Sequence, residues 1–105
     1  MKSITSKELQ DKIKAGEEFH FLDVREQWEN YIVRFDESLL IPLGTLSNRY
    51  QEIDPDKKWV VYCHHGVRSV HACMFLDSIG FQNIFNLTGG IDNWSQTVDP
   101  TVKRY

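Results

Sequence analysis

The sequence has 105 residues, of which 41% are hydrophobic and 12% aromatic, with two cysteines and a formal net charge of −3 at pH 7. This length suits one domain, residues 1–105, with an ordinary packed core. Acidic and basic residues are mixed along the chain, which argues against nucleic-acid binding, and no apolar run has membrane-spanning length. Residues 1–5 lack the apolar segment of a signal peptide, so we expect a cytoplasmic protein.

The first half of the chain alternates short helices with apolar strands. A helix is predicted to begin after Thr5, because Thr5 and Glu8 have the spacing of a capping box, and to end at Gly16. The remaining elements predicted for this half are a buried strand at 19–24, a short helix at 26–31, a strand at 39–42 and a helix at 46–53.

The second half contains the clearest strand. The strand predicted at residues 58–62 contains a continuous apolar run, as expected in the middle of a parallel sheet. A helix is predicted over 69–79, and its apolar face carries Ala72, Cys73, Leu76 and Ile79. A strand at 83–86 and a helix at 89–94 complete the pattern. Strands that alternate with helices in this way predict an α/β domain with a largely parallel central sheet.

Cys63 lies where the clearest strand ends, which is where parallel sheets bind their ligands. Gly66 permits an unusual backbone turn, and a helix begins near Ser69, so loop amides and a helix N-terminus place partial positive charge around the sulfur. Arg68 adds a permanent cation. These effects favour the thiolate, so we expect a nucleophile rather than a cysteine that only fills the core. Together the loop amides, the helix N-terminus and Arg68 form a cradle for negative charge, which also suits a persulfide anion or a sulfur oxyanion.

Four segments carry a family resemblance: residues 21–26 (FLDVRE), 40–43 (LIPL), 62–69 (YCHHGVRS) and 87–94 (LTGGIDNW). Together they resemble the signatures of the rhodanese-like sulfurtransferase domain, and the similarity extends over nearly the whole chain. The resemblance implies a three-layer α/β fold, in which a mostly parallel sheet of about five strands is flanked by helices. Residues 31–38 depart from the family pattern, which commonly has a Gly-His-Ile-Pro-Gly-Ala-like turn there.

The length of the loop separates two chemistries within this superfamily. Sulfurtransferases have four residues between the cysteine and the arginine, as between Cys63 and Arg68, whereas the related dual-specificity phosphatases have five. A single sulfur needs less space than a tetrahedral phosphate or arsenate, so the spacing favours sulfur transfer. A small phosphatase or arsenate reductase on the same scaffold and a non-catalytic binding module are the alternatives.

The resemblance implies a ping-pong mechanism in which Cys63 is the catalytic residue and carries sulfur as a persulfide. The loop that binds substrate and persulfide comprises His64, His65, Gly66, Val67, Arg68 and Ser69. The implied partners are a small sulfur donor, thiosulfate or a persulfide, and an acceptor, a thiol or cyanide; no cofactor or metal is implied. Asp23 and Arg25, at the end of a buried strand, are expected to support the site as a structural ion pair.

Three other assignments stay open at this stage. Either the side chain of His64 or His65 tunes the choice of donor or the pKa of the Cys63 thiol, or both side chains point into solvent while their amides act. A metal site of Cys63, His64, His65 and His71 is a weaker alternative, because no spacing matches a structural zinc motif. Cys73 is expected in the core, with a resolving thiol as its alternative role.

Residues 98–105 carry a second, narrower family resemblance. They resemble the ends of rhodanese domains that are fused to, or partnered with, adenylyl-transferring activating enzymes in sulfur-carrier pathways. This resemblance implies a small carrier protein as the acceptor. The alternative is a terminal strap that packs Tyr105 on the domain.

Overall fold

The computed structural model describes all residues, 1–105. Its strands are β1 (Lys2–Ile4), β2 (His20–Asp23), β3 (Leu39–Leu40), β4 (Trp59–Tyr62) and β5 (Ile84–Leu87). They form one sheet in the order β1-β5-β4-β2-β3, and every neighbouring pair is parallel. All four residues of β4 are buried, as its continuous apolar sequence requires at the centre of a parallel sheet. The predicted α/β fold is therefore confirmed.

The helices connect these strands. They are α1 (Ser6–Lys14), α2 (Gln27–Ile32), α3 (Leu46–Arg49), α4 (Val67–Ser78) and α5 (Gly90–Thr97), with 3-10 turns at Leu43–Thr45 and Tyr50–Glu52. The capping box is confirmed, since the Glu8 amide donates to Thr5 Oγ1 at 3.1 Å and the Thr5 amide donates to Glu8 Oε1 at 2.9 Å. None of these helices has the length and apolar character needed to cross a membrane.

Side chains alternate between two cores, one on each face of the sheet. Val61 of β4 points to the face covered by α4, where Ala72, Cys73 and Leu76 are buried. Val60 points to the opposite face, which Leu9 of α1 and Ile91 of α5 cover. The result is the predicted arrangement of three layers, with helices on both sides of the sheet.

The structure differs from the sequence predictions at several points, most of them at the ends of elements. The strand β1 was not predicted, because it has only three residues and only Ile4 is buried. The helix expected at 46–53 is α3 followed by a 3-10 turn. The α4 helix begins at Val67, two residues earlier than expected, because Gly66 takes a positive φ of 102° and turns the chain into the helix. Ile79 lies beyond the end of α4 and is exposed rather than packed.

The segment that departs from the family pattern, residues 31–38, begins in the last turn of α2 and carries Phe35 onto the sheet. The Phe35 ring stacks on Phe21, with ring centroids 4.5 Å apart, and contacts the rings of Tyr62 and Trp94 edge-on. An aromatic cluster therefore secures this connection.

Candidate active site

Cys63 follows the last residue of β4 and is 1% exposed. Its Sγ accepts hydrogen bonds from the backbone amides of Gly66, at 3.1 Å, and Ser69, at 3.4 Å. The positive φ of Gly66 and the first turn of α4 aim both amides at the sulfur. Two backbone donors and a helix N-terminus together stabilise negative charge on Sγ.

The loop and the first turn of α4 contain further backbone N–H donors. The amides of His64, His65, Val67 and Arg68 donate to no other protein atom, because the first two lie in the loop and the other two in the first helical turn. They are available to an anion bound next to Sγ. The side chain of Val67 itself is 68% exposed and takes no part in the cradle.

A buried polar chain extends from the sulfur to the sheet. Ser69 Oγ lies 3.4 Å from Cys63 Sγ and donates to Asn86 Oδ1 at 2.5 Å. All three residues are buried, so the hydroxyl has no competing water. Sequence reasoning placed Asn86 in a strand but not in the site; a polar residue within an apolar strand was the signal.

Arg68 forms a two-point ion pair with Glu29 of α2. Nη1 lies 2.6 Å from Oε1, and Nη2 lies 2.9 Å from Oε2. Burial opposes ionisation of Glu29, but the hydrogen bonds from Arg68 and Tyr105 outweigh it and lower its pKa to about 2. In return, hydrogen bonding to Glu29, together with the charge of its carboxylate, raises the pKa of Arg68. The carboxylate thus orients the cation predicted from the sequence; nothing near Glu29 in the chain had indicated this role.

Asp23 and Arg25 form a fully buried ion pair at the end of β2, with Arg25 Nη2 2.8 Å and Nε 2.9 Å from the carboxylate oxygens. Arg25 Nη1 also donates to the hydroxyl of Tyr105 at 2.8 Å, and Nη2 donates to the Val33 carbonyl at 2.6 Å. Tyr105 donates in turn to Glu29 Oε2 at 2.7 Å. Hydrogen bonds therefore join the pair to Glu29 and, through it, to Arg68.

The N-terminus of α5 holds the active loop by two backbone hydrogen bonds. The amide of Ile91 donates to the Cys63 carbonyl at 3.0 Å, and that of Asp92 donates to the His64 carbonyl at 3.1 Å. Gly90 has a φ of +66°, and a Cβ there would lie 2.6 Å from the Cys63 carbonyl oxygen. The close approach of two backbones requires glycine at this position.

The two loop histidines lie at the mouth of the site. The ring of His64 stacks on those of His65 and Tyr105, and burial, followed by the charge of His65, lowers its pKa. Ligand atoms of His64, His65 and Asp92 lie within 4.8 Å of one another, but the carboxylate of Asp92 already pairs with Arg104 at 2.9 Å. A metal ion would have to displace that guanidinium.

The two remaining candidates form no hydrogen bond with Cys63. His71 is exposed on α4 and does not join the histidine group. Cys73 is fully buried in the core, where burial raises the pKa of its thiol to about 12. Its predicted core position is confirmed.

A buried cysteine at the end of a central parallel strand, with a helix N-terminus pointing at its sulfur, is the arrangement expected of a cysteine-dependent group-transfer domain. The rhodanese-like domain family matches residues 5–97 of this chain. The chain therefore belongs to the rhodanese-like family of sulfurtransferases.

Relatives of two kinds support this assignment. The chain is 31% identical to a sulfurtransferase of Allochromatium vinosum, covering 94% of this chain and 92% of that protein. It is also 31% identical to the adenylyltransferase and sulfurtransferase uba4 of Ogataea parapolymorpha, covering 90% of this chain but only 25% of that protein. Among solved structures, a rhodanese-related protein from Thermoplasma volcanium has a TM-score of 0.86 and 35% identity, with full coverage of both chains.

Proposed function

We propose that this protein transfers a sulfane sulfur from thiosulfate or a persulfide donor to a thiol acceptor, through a persulfide on Cys63. The observation that carries the proposal is the cradle around Sγ. Two amides already donate to the sulfur, and four more in the loop and first helical turn have no protein acceptor. Such a cradle stabilises a thiolate, and equally the outer sulfur of a persulfide anion.

In the first half-reaction the Cys63 thiolate attacks the outer sulfur of thiosulfate. A new sulfur–sulfur bond forms to Sγ, the sulfur–sulfur bond of thiosulfate breaks, and sulfite leaves with the electron pair. Arg68 and the free loop amides stabilise the anionic donor and the departing charge. In the second half-reaction an acceptor thiolate, or cyanide, attacks the outer sulfur and regenerates the Cys63 thiolate.

The identity of the acceptor is a further part of the proposal. Similarity to uba4, a protein named for both adenylyl and sulfur transfer, supports a sulfur-carrier protein or an activating enzyme as the partner. Both cysteines are free thiols, which agrees with action in the reducing cytoplasm.

The test is to incubate the protein with thiosulfate and record its intact mass. We expect one additional sulfur on the wild type, removable by a thiol or by cyanide, and none on Cys63→Ala. Cys73→Ala is the matched control, because it removes the other thiol and should still load sulfur. Absence of loading together with turnover of a phosphate ester would favour a phosphatase, and inactivity in both assays would favour a binding module.

A further inference from the structure

Residues 99–105 form a strap that runs from the end of α5 to the mouth of the active site. Within the strap, the Val102 carbonyl accepts a hydrogen bond from Ser95 Oγ at 2.6 Å. Arg104 Nε lies 2.9 Å from Asp92 Oδ1, next to the loop histidines. The Asp99 amide also donates to the Trp94 carbonyl at 3.0 Å, so the strap is bonded to α5 at three points before it reaches Tyr105.

Tyr105 joins the strap to both sides of the site. On one side its hydroxyl accepts from Arg25 Nη1 at 2.8 Å and donates to Glu29 Oε2 at 2.7 Å. On the other side its ring lies flat on His64, with centroids 3.9 Å apart and an angle of 8° between the rings. One side chain therefore bridges α2 and the active loop.

The sulfur of Cys63, the neighbour of His64, is itself enclosed. Cys63 is 1% exposed, and no residue of the loop lines any of the surface cavities. Beneath Tyr105, the Nε2 atom of His64 is buried and has no hydrogen-bond partner. A buried polar atom without a partner costs free energy, and opening of the strap to water would relieve this cost.

From these contacts we infer that Tyr105 is a specificity-determining residue: it holds the strap over the active loop and so favours small sulfur donors over bulky ones at Cys63. The inference rests on the proposed sulfur transfer at Cys63 and adds a selection by size. The hydroxyl contributes two charge-assisted hydrogen bonds, and the ring covers His64, the residue next to the nucleophile.

The first test compares two alkylating reagents that share one reactive group, iodoacetamide and fluorescein-iodoacetamide. For Tyr105→Ala we expect the rate constant of the bulky reagent at Cys63 to rise about tenfold relative to that of the small reagent, because two hydrogen bonds and a stacked ring are lost. Tyr105→Phe keeps the ring and loses both hydrogen bonds, so its ratio should rise by an intermediate factor. An unchanged ratio in both variants would overturn the inference.

Two controls are built into the chain. Cys73 lies fully buried in the core, so its alkylation, located by peptide mapping, reports unfolding. If Cys73 is alkylated in Tyr105→Ala, that variant has unfolded, and the ratio measured with Tyr105→Phe then decides whether Tyr105 controls access to Cys63. Tyr31 is 86% exposed on the neighbouring α2 helix, and Tyr31→Ala should leave the ratio at its wild-type value. An equal rise in Tyr31→Ala would count against a specific role for Tyr105.

The second test uses the sulfur donors themselves. We expect Tyr105→Ala to shift the ratio of kcat/KM for glutathione persulfide over thiosulfate about tenfold towards the larger donor, whereas a purely structural role would change both values equally. Failure of the wild type to load sulfur would refute the proposed function, while the alkylation ratio would still decide whether Tyr105 controls access. The two failures are therefore distinguishable.

Discussion

The guanidinium of Arg68 faces the carboxylate of Glu29, with both terminal nitrogens within 2.9 Å of its oxygens. The charge of the cation is therefore partly balanced before any substrate arrives, and its orientation is determined by a residue 39 positions earlier in the chain. Arg68 keeps other N–H groups for an incoming anion, since a guanidinium has five donors.

For Arg68 we predict a loss that depends on the charge of the donor. Arg68→Ala should raise KM for thiosulfate about tenfold, on the scale of one charge-assisted hydrogen bond, and should weaken loading from an uncharged alkyl persulfide much less. Arg68→Lys keeps the charge without the two-point geometry and should recover part of the loss. Steady-state kinetics with both donors provide the measurement.

The control for this experiment is the double variant Glu29→Gln/Arg68→Ala, which removes the buried carboxylate that the single variant leaves unpaired. If the two donors lose activity equally in both variants, Arg68 does not bind the anion.

The ion pair also predicts how stability depends on pH. The pKa of Glu29 lies at about 2, below the ordinary value of 4.5, so the ionised group stabilises the fold above pH 4.5 and this contribution is lost as the pH falls towards 2. A shift of this size corresponds to about 3 kcal/mol. Urea unfolding at a series of pH values should therefore show a shallower decline in this window for Glu29→Gln than for the wild type.

Glu18→Gln provides the matched control for that series, because Glu18 is exposed and forms no ion pair. It should follow the wild-type curve. Parallel curves for the wild type and Glu29→Gln would mean that Glu29 does not contribute this dependence.

Gly90 is predicted to be indispensable to the position of the nucleophile. In Gly90→Ala the new Cβ would collide with the Cys63 carbonyl, and the positive φ adds strain, so we expect a loss of about 1–3 kcal/mol in the free energy of unfolding. Turnover of the folded variant should fall about 100-fold if the loop backbone moves by about 1 Å. Chemical denaturation and sulfurtransferase assays measure the two effects separately.

Gly44→Ala is the control for this substitution, because a Cβ at Gly44 meets no atom within 4 Å. It should leave both stability and turnover near wild-type values. A Gly90→Ala variant with wild-type turnover would show that the loop tolerates the displacement.

Ser69 is predicted to support the anionic sulfur through its hydroxyl. Ser69→Ala keeps the amide that points at Cys63 but removes the hydroxyl between Sγ and Asn86, leaving the Asn86 oxygen without this donor. We expect the rate constant for alkylation of Cys63 at pH 7 to fall about three- to tenfold, the equivalent of one hydrogen bond. Sulfur loading should slow by a similar factor.

Ser78→Ala tests whether this effect is specific to the site. Ser78 lies at the exposed end of the same helix, and its hydroxyl donates only to the Phe75 carbonyl. Alkylation of Cys63 should be unaffected in this variant. An equal decrease in both variants would point to a general effect on α4 instead of a contact with the sulfur.

Much of this protein is encoded by local patterns in its sequence. The capping box at Thr5 and the apolar run of β4 predict their elements directly, because helix caps and side-chain periodicity depend on neighbouring residues. The spacing from Cys63 to Arg68 likewise sets the size of the loop. These features determined the fold class and the position of the proposed nucleophile, Cys63.

The tertiary structure alone decided which residues surround that nucleophile. Glu29 reaches Arg68 across 39 positions, Asn86 reaches Ser69 across 17, and Tyr105 reaches Arg25 across 80. No local pattern specifies such pairs, because they depend on the strand order of the sheet and on where buried polar groups find their partners. The sequence by itself predicted a reactive cysteine, Cys63, in a loop of the length found in sulfurtransferases. The packing of distant elements supplied Glu29, which orients Arg68, Asn86, which accepts a hydrogen bond from Ser69, and Tyr105, which stacks on His64.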